Sequence, residues 1–220
     1  MPIILVRHGE SESNVSDLTG GWTDTPLTEL GFRQAEATAH RLKGELAYQT
    51  CRIVSSDLKR AMQTAEVIGR ALGVEPIPEP GLREINNGVA TGKTREEVEH
   101  LFIKPTRPLI DWVPYPGAEN WMQLHGRVAA VMDRIYKDNE ENLIVVGHGG
   151  SLHHVIFWWL KLPTNIIDDI NFGLDNGCLT ILSLSALDQR LLVRLNDTKP
   201  LEGVILVVAR YLLPSSQLLV

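Results

Sequence analysis

Two histidines and two arginines lie where apolar runs of this chain end, and their side chains can support phosphate chemistry. His8 follows the run Ile-Ile-Leu-Val with Arg7 directly before it, and His148 follows the run Leu-Ile-Val-Val-Gly. Arg60 comes shortly after a third, shorter run at positions 53–54. An apolar run that breaks into His-Gly is typical of a strand ending at the edge of a sheet, where open α/β sheets bind their ligands. We therefore expect these four side chains to meet in one cationic pocket.

A phosphate ester is the substrate that such a pocket favours. Guanidinium groups match phosphate oxygens in two-point contacts, and a neutral imidazole can act as a nucleophile. The reaction also needs an acid that protonates the leaving oxygen, and Glu84 in a Gly-Leu-Arg-Glu-Ile stretch is the candidate. Glu10 and Glu12 are alternatives, but acidic residues in a first helical turn commonly stabilise the start of the helix. The predicted catalytic set is His8, Arg7, Arg60, Glu84 and His148.

The composition fits one globular domain and argues against several classes of partner. The chain has 220 residues and a formal net charge of −6, with 21 Lys plus Arg against 27 Asp plus Glu. This negative balance disfavours a nucleic-acid partner, and no apolar run reaches the ~20 residues of a membrane span. Two cysteines without a disulfide framework, and an N-terminus typical of a strand rather than a leader, predict a cytoplasmic protein. We expect a single domain over residues 1–220, with its core at about 3–195.

Short apolar runs alternate with amphipathic stretches, which predicts an α/β fold. Strands are expected near residues 3–6, 53–54 and 143–146, and a hairpin near 179–184 and 191–195. Helices are expected near residues 28–44, 58–72, 121–135 and 151–160, with a short one that starts at Thr94. The first helix would bury Phe32 and end at Gly44, and residues 104–117, which hold four prolines, would form a loop. The apolar tail from Gly203 could be an edge strand, a docked tail or a dimer contact.

Five motifs in chain order resemble the signature of the histidine phosphatase superfamily, in its phosphoglycerate-mutase-like branch. The motifs are Arg7-His8-Gly9-Glu10 with Asn14, Asp24-Thr25-Pro26-Leu27-Thr28 with Gly31 and Gln34-Ala35, Ser55-Ser56-Asp57-Leu58-Lys59-Arg60-Ala61 with Gln63-Thr64-Ala65, Leu82-Arg83-Glu84-Ile85 with Gly88 and Gly92, and Val146-Gly147-His148-Gly149-Gly150. Each motif alone is a weak signal. Together they extend from about Ile3 to about Leu195, so the resemblance covers nearly the whole chain.

The resemblance implies a fold and a set of roles. The fold is a three-layer α/β/α sandwich with a mostly parallel central sheet. His8 is the nucleophile that becomes phosphorylated, Glu84 protonates the leaving alcohol and then takes a proton from water, and no metal or other cofactor takes part. The phosphoryl oxygens are held by Arg7, Arg60 and His148, with Asn14 assisting. Further substrate contacts are predicted at Gly9, Thr23, Gly149 and Glu119.

The sequence departs from the family pattern where the leaving group of the substrate is expected. The stretch Gly88–Gly92 lacks the aromatic and acidic residues that many relatives carry there. Ala118 and Asn120 replace residues of a Pro-Gly-Gly-Glu-Ser stretch, and Pro200 stands where many relatives have histidine. These departures leave the predicted phosphate pocket intact and the identity of the substrate open.

Three functions remain open at this point. A phosphatase for small phosphorylated metabolites is favoured. A phosphoglycerate mutase would use the same pocket, but it needs further basic residues close to the site, and an inactive relative would serve only as a binding module. A zinc site around His148, His153 and His154 is disfavoured, because their spacing does not combine a ligand pair on one helix face with a third, acidic ligand. A homodimer is left open by the apolar tail.

Overall fold

One mixed β-sheet forms the centre of the computed structural model, which describes residues 2–46, 49–136, 141–201 and 204. Its strands are β1 (Ile3–Arg7), β2 (Cys51–Ser55), β3 (Ile77–Pro78), β4 (Asn142–Gly147), β5 (Leu179–Leu184) and β6 (Arg190–Asp197). They lie in the order β3-β2-β4-β1-β5-β6. Neighbours among β1 to β4 are parallel, whereas β5 is antiparallel to both β1 and β6. The predicted parallel majority of the sheet is confirmed.

Helices cover both faces of the sheet. The α-helices in the described part of the chain are α1 (Glu12–Val15), α2 (Glu29–Leu46), α3 (Lys59–Leu72), α4 (Arg95–Val98), α5 (Trp121–Ile135) and α6 (Gly149–Leu160). Ile3 and Leu5 of β1 pack in one core with α5 and α6, and Ile4 and Val6 pack in a second core with α2 and α3. Successive side chains of a strand point to opposite faces, so this alternation produces the predicted three layers.

The strand ends bring three distant polar residues to one edge of the sheet. In the parallel ladder Arg7 of β1 lies opposite Gly147 of β4. The residue after β1, His8, continues this ladder by donating from its backbone nitrogen to the Gly147 carbonyl at 3.0 Å. The residue after β2, Ser56, donates in the same way to the Val146 carbonyl at 2.9 Å. The carboxyl ends of β1, β2 and β4 therefore meet where a doubly wound sheet binds its ligand.

Two details of α2 differ from the prediction. Its start is as expected, because the Thr28 hydroxyl accepts a hydrogen bond from the Gly31 nitrogen at 3.1 Å in the manner of an N-cap. The predicted burial of Phe32 is wrong, since this side chain is 37% exposed. The buried stripe of α2 includes Gly31 and Ala35, and Phe32 lies beside it. The predicted stop at Gly44 is also wrong, because the helix continues to Leu46.

The remaining differences concern short elements and the tail. The four-residue α1 and the two-residue β3 carry too few residues for a periodic pattern. The acidic residues Glu10 and Glu12 indicated a helix start, and α1 begins at Glu12, whereas no strand was predicted at β3. Residues 104–117 form a loop as predicted, with a 3-10 turn at Leu109–Asp111. In the described residues, no helix is both long enough and apolar enough to cross a bilayer. Apart from Val204, the tail from Gly203 lies outside the described residues.

Candidate active site

His8 lies at the carboxyl end of β1 with its ring buried and uncharged. The ring is 3% exposed, and its Nδ1 lies 2.6 Å from the carbonyl oxygen of Gly9. A carbonyl oxygen only accepts, so Nδ1 carries the proton and Nε2 keeps its lone pair. Burial, followed by the positive charges of Arg60 and Arg7, lowers the pKa of His8 well below 6.5. An unprotonated Nε2 is what a nucleophilic histidine requires.

The backbone around His8 is fixed by one side chain that the sequence reasoning missed. Asn176 donates from Nδ2 to the carbonyl oxygens of His8 at 3.0 Å and Gly9 at 3.3 Å, and to Asn14 Oδ1 at 3.3 Å. From the opposite side, Gly31 packs so closely that a Cβ at Gly9 would lie 2.3 Å from its carbonyl oxygen. The only sequence signal for Asn176 is an Asn-Gly pair, which predicts a turn but no contact.

Arg60 places a guanidinium group directly against His8. It is the second residue of α3 and is 3% exposed. Its Nε donates to His8 Nε2 at 3.2 Å, and its terminal nitrogens donate to the carbonyl oxygens of Thr23 and Gly21, both at 2.7 Å. Burial lowers the pKa of Arg60 to about 10, although the charges of Glu84 and Asp24 oppose this shift. The group therefore remains positively charged at neutral pH.

Arg7 adds a second buried cation near His8. The side chain is 6% exposed and donates to the carbonyl oxygen of Leu174. Its charge lowers the pKa values of both His8 and His148. The structure thus brings the two predicted arginines and the two predicted histidines into one region.

His148 is oriented by a serine at the end of β2. Its ring is fully buried, and the ring centre lies 5.0 Å from that of His8. Ser56 Oγ lies 2.8 Å from His148 Nε2 and also accepts from the backbone nitrogen of Leu58 at 3.3 Å. We assign the serine hydroxyl as the donor to Nε2, which places the proton of the neutral imidazole on Nδ1. Among the described residues Nδ1 has no hydrogen-bond partner, so it is suited to donate to a phosphoryl oxygen.

Glu84 reaches this region from the segment after a 3-10 turn at Pro80–Leu82. Its Oε2 accepts from the Gly150 nitrogen at 2.9 Å, and its Oε1 accepts from the Ile85 nitrogen at 2.9 Å. Gly150 is the second residue of α6, two positions after His148. A Cβ at Gly150 would lie only 2.3 Å from Glu84 Oε1. The glycine therefore provides both the space and the N–H group that hold this carboxylate.

Two side chains that the sequence did not indicate hold the backbone of Glu84. Its carbonyl oxygen accepts from Trp22 Nε1 at 2.7 Å and from Arg127 at 3.2 Å. Arg127 is also paired with Glu119 at 2.7 Å. The Arg83 guanidinium lies over the Trp22 ring at 4.8 Å and is paired with Asp57.

The residues predicted as substrate contacts take different positions. Thr23 and Glu119 serve the framework, since the Thr23 carbonyl receives Arg60 and both Glu119 oxygens receive Arg127. Asn14 uses its Oδ1 for Ser11 and Asn176. Gly9 is required for packing against α2 and donates from its nitrogen to Thr64. Gly149 is the first residue of α6, so its N–H lacks a partner within the helix and remains a predicted phosphate contact.

No metal site is apparent in the described parts of the chain, where no group of three or more His, Cys, Asp or Glu side chains is arranged to hold a metal ion. His153 and His154, considered above as zinc ligands with His148, instead pack against each other with ring centres 5.0 Å apart. His153 Nδ1 accepts a hydrogen bond from the Phe172 nitrogen at 3.2 Å. A nitrogen used in this way is not available to a metal.

Known proteins resemble this chain along most of its length. The family model described as histidine phosphatase superfamily (branch 1) matches residues 3–198. The probable phosphoglycerate mutase GpmB of Proteus mirabilis is 36% identical over 173 residues, which cover 74% of this chain and 76% of that protein. A mycobacterial glucosyl-3-phosphoglycerate phosphatase in complex with VO3 aligns with a TM-score of 0.74 and 29% identity over 89% of this chain and 98% of that one. The α-ribazole phosphatase of Shigella flexneri shares the fold, with a TM-score of 0.74 and 24% identity over 90% and 96% of the two chains.

Proposed function

The chain belongs to branch 1 of the histidine phosphatase superfamily, and we propose that it hydrolyses small phosphomonoesters through a phosphohistidine at His8. The observation that carries this proposal is the hydrogen bonding of His8. Its Nδ1 is tied to the Gly9 carbonyl, and its Nε2 lone pair is presented beside Arg60. This tautomer makes Nε2 the ring nitrogen that can attack phosphorus, and the nearby charges of Arg60 and Arg7 support the binding of a phosphoryl group there.

The proposed reaction has two steps that balance. In the first, His8 Nε2 forms a bond to phosphorus, the bond from phosphorus to the leaving oxygen breaks, and protonated Glu84 gives its proton to that oxygen. In the second, a water oxygen attacks phosphorus, the N–P bond breaks, and Glu84 takes a proton from the water. Inorganic phosphate leaves and His8 returns to its neutral form. Arg7, Arg60 and His148 stabilise the charge on the phosphoryl oxygens in both steps.

The test of this proposal is the variant His8→Ala, assayed with p-nitrophenyl phosphate. We expect phosphate release to fall to background and the acid-labile phosphoenzyme of the parent protein to disappear. His40→Ala, on an exposed position of α2, is the matched control and should retain both. Turnover by His8→Ala at the rate of the parent would rule out the proposed mechanism. Because the proposal assigns no step to a metal, activity should also persist in the presence of a chelator.

A phosphoglycerate mutase is the second candidate, and the name of the Proteus mirabilis relative favours it. A mutase needs cations for the carboxylate or second phosphate of its substrate. Arg83 precedes Glu84 in the chain and Arg127 donates to the Glu84 carbonyl. Each of these arginines is paired with a carboxylate, which supports the phosphatase instead. Incubation with 3-phosphoglycerate and 2,3-bisphosphoglycerate separates the two, because a mutase gives 2-phosphoglycerate and a phosphatase gives free phosphate.

We also propose a small phosphorylated metabolite as the partner and the cytoplasm as the location. Cys51 and Cys178 are both free thiols, which is typical of proteins in a reducing compartment. Burial raises the pKa of Cys178 to about 12, so this thiol stays protonated and unreactive. Cell fractionation tests the location. That the protein binds neither nucleic acid nor membranes stays a prediction, and so does the homodimer. Light scattering on the purified chain decides the oligomeric state.

A further inference from the structure

A cavity of about 200 Å³ lies beside the Glu84 carboxylate, between α5 and α6. Trp121 and Leu124 of α5 form one wall, His153 and His154 of α6 form another, and Phe172 closes the space. The general acid must lie next to the oxygen that leaves, so a cavity lined by Glu84 and Gly149 is positioned to receive the group attached to this oxygen. The lining of the cavity therefore acts on the alcohol part of the substrate.

The two histidines of this lining are uncharged. His153 Nδ1 accepts from the Phe172 nitrogen, and a nitrogen that accepts carries no proton, so the ring is the neutral form. Burial lowers the pKa of His153 to about 4 and that of His154 to about 2. His153 also packs its ring against Phe157 at 4.8 Å and Phe172 at 5.6 Å. Both imidazoles therefore behave as aromatic surfaces with one polar atom each.

No cation balances a second negative charge in this cavity. The described residues that line it include no lysine or arginine, and the charged group among them is the Glu84 carboxylate. Arg83 and Arg127 lie behind Glu84 and are paired with Asp57 and Glu119. Transfer of an unpaired carboxylate from water into such a place is strongly unfavourable. An alcohol that bears a carboxylate or a second phosphate is thus disfavoured.

The size of the cavity limits the group that it can hold. Cavities of roughly 150 Å³ with apolar walls bind benzene, so about 200 Å³ accommodates one six-membered ring with a small substituent. Aromatic rings favour edge and offset contacts with other rings, and Trp121, Phe172 and His153 supply such partners. Asn171 at the exposed rim adds a polar side chain.

We propose that this cavity selects phosphomonoesters whose alcohol carries one uncharged, mainly apolar ring. The inference rests on the proposed phosphatase function, because it assigns the cavity to the leaving group of that reaction. It names a substrate class that neither the family nor the catalytic residues specify.

The test compares esters with similar leaving oxygens, so that chemical reactivity does not decide the outcome. The substrates are 2-phenylethyl phosphate, ethyl phosphate and 3-phosphoglycerate. We expect kcat/KM to be about 10- to 100-fold higher for the phenyl ester than for ethyl phosphate, the gain typical of burying one ring. The value for 3-phosphoglycerate should be the lowest of the three.

Two substitutions locate the effect in the cavity. Trp121→Ala removes one wall at a partly exposed position and should reduce the ratio between the phenyl and ethyl esters toward one. Asn171→Arg adds a cation at the rim and should raise kcat/KM for 3-phosphoglycerate relative to the phenyl ester. Trp112→Ala is the control. Trp112 lies in the loop at 104–117, contacts Phe102 and Ile103, and does not line the cavity.

The outcomes separate the two proposals. A parent protein that releases phosphate in a His8-dependent way but with a ratio near one overturns the cavity assignment and leaves the phosphatase function standing. An equal loss in Trp121→Ala and Trp112→Ala also overturns it. If no ester, including p-nitrophenyl phosphate, gives His8-dependent release, both proposals fail.

Discussion

Replacement of Gly150 by alanine should move the general acid without disturbing the fold. The new Cβ would lie 2.3 Å from Glu84 Oε1, whereas ordinary contacts begin near 3.4 Å, so the carboxylate must retreat by about 1 Å. The obstacle is the end of a flexible side chain, which can rotate away, and alanine is favoured over glycine in a helix by up to about 1 kcal/mol. The melting temperature should therefore stay the same or rise.

The catalytic loss should be large and should depend on the leaving group. A displacement of about 1 Å at a reacting group can cost on the order of 10²-fold in rate, and the bond from the Gly150 nitrogen to Glu84 is weakened at the same time. We expect kcat for an alkyl phosphate to fall by about 10²-fold. The loss with p-nitrophenyl phosphate should be much smaller, because its phenolate leaves without protonation. Steady-state kinetics on both substrates measures this difference.

A matched control and a double variant test whether Gly150→Ala acts through Glu84. Gly126→Ala is the same substitution on α5. Beyond the neighbouring helix backbone, no atom of the described residues lies within 4 Å of the new Cβ, so this variant should leave both rates unchanged. If Gly150→Ala acts through Glu84, adding it to Glu84→Gln should cause little further loss. Equal losses with the two substrates, or full additivity with Glu84→Gln, would refute the role given to Glu84.

Two further predictions concern buried side chains, and a third concerns metal dependence. Ser56→Ala removes the donor that holds the proton of His148 on Nδ1, so the inhibition constant of inorganic phosphate should rise by about 10-fold, the effect of one hydrogen bond. The control is Ser55→Ala, since the Ser55 hydroxyl donates to a backbone carbonyl. An unchanged inhibition constant in Ser56→Ala would contradict the assigned position of the proton. Burial lowers the pKa of His8, His148, His153 and His154, so the unfolded chain binds protons first as pH falls below 6.5. The free energy of unfolding should therefore decrease below pH 6.5 by up to about 1.4 kcal/mol per pH unit for each histidine. Denaturant titrations at several pH values measure this dependence. The free energy of unfolding should fall less steeply with pH in His154→Asn, whereas the exposed His40→Asn should leave the pH dependence unchanged. Finally, phosphate release should be the same with and without EDTA, and a loss that zinc or magnesium restores would contradict the proposed mechanism.

The central sheet and the residues at its strand ends are the part that sequence patterns predict well. The runs before His8 and His148 are continuous and apolar because β1 and β4 are covered by helices on both faces. A strand of this kind has one interpretation, and the residue that follows it must lie at the sheet edge. The helix over Lys59–Leu72 is equally well indicated, because Gly73 ends it with a φ of 73°, a conformation that favours glycine.

The remaining site depends on contacts between segments that lie far apart in the chain. Asn176 lies 168 positions from His8 and holds its carbonyl, and no local pattern indicates this pairing. Thr23 and Glu119 have the residue types of ligand contacts, but their partners, Arg60 and Arg127, make them parts of the framework. The burial of Phe32 was predicted wrongly for a similar reason. The rotation of α2 about its axis is set by close packing of Gly31 on the Glu10 backbone. Periodicity locates a helix face to within about one residue, and tertiary contacts decide the rest.

The buried charge of Arg60 explains why this pocket favours a phosphoryl group. Its side-chain N–H groups donate to His8 Nε2 and to the carbonyl oxygens of Thr23 and Gly21, which are all neutral acceptors. Burial lowers the pKa of Arg60 from 12.5 to about 10, which corresponds to an unfavourable contribution on the order of 3 kcal/mol to the charged form. A phosphoryl group at His8 Nε2 brings negative oxygens to this guanidinium and offsets that contribution. The charge on these oxygens must be stabilised while the bond to the leaving group breaks. The same buried charge that destabilises the folded chain therefore lowers the barrier of the reaction.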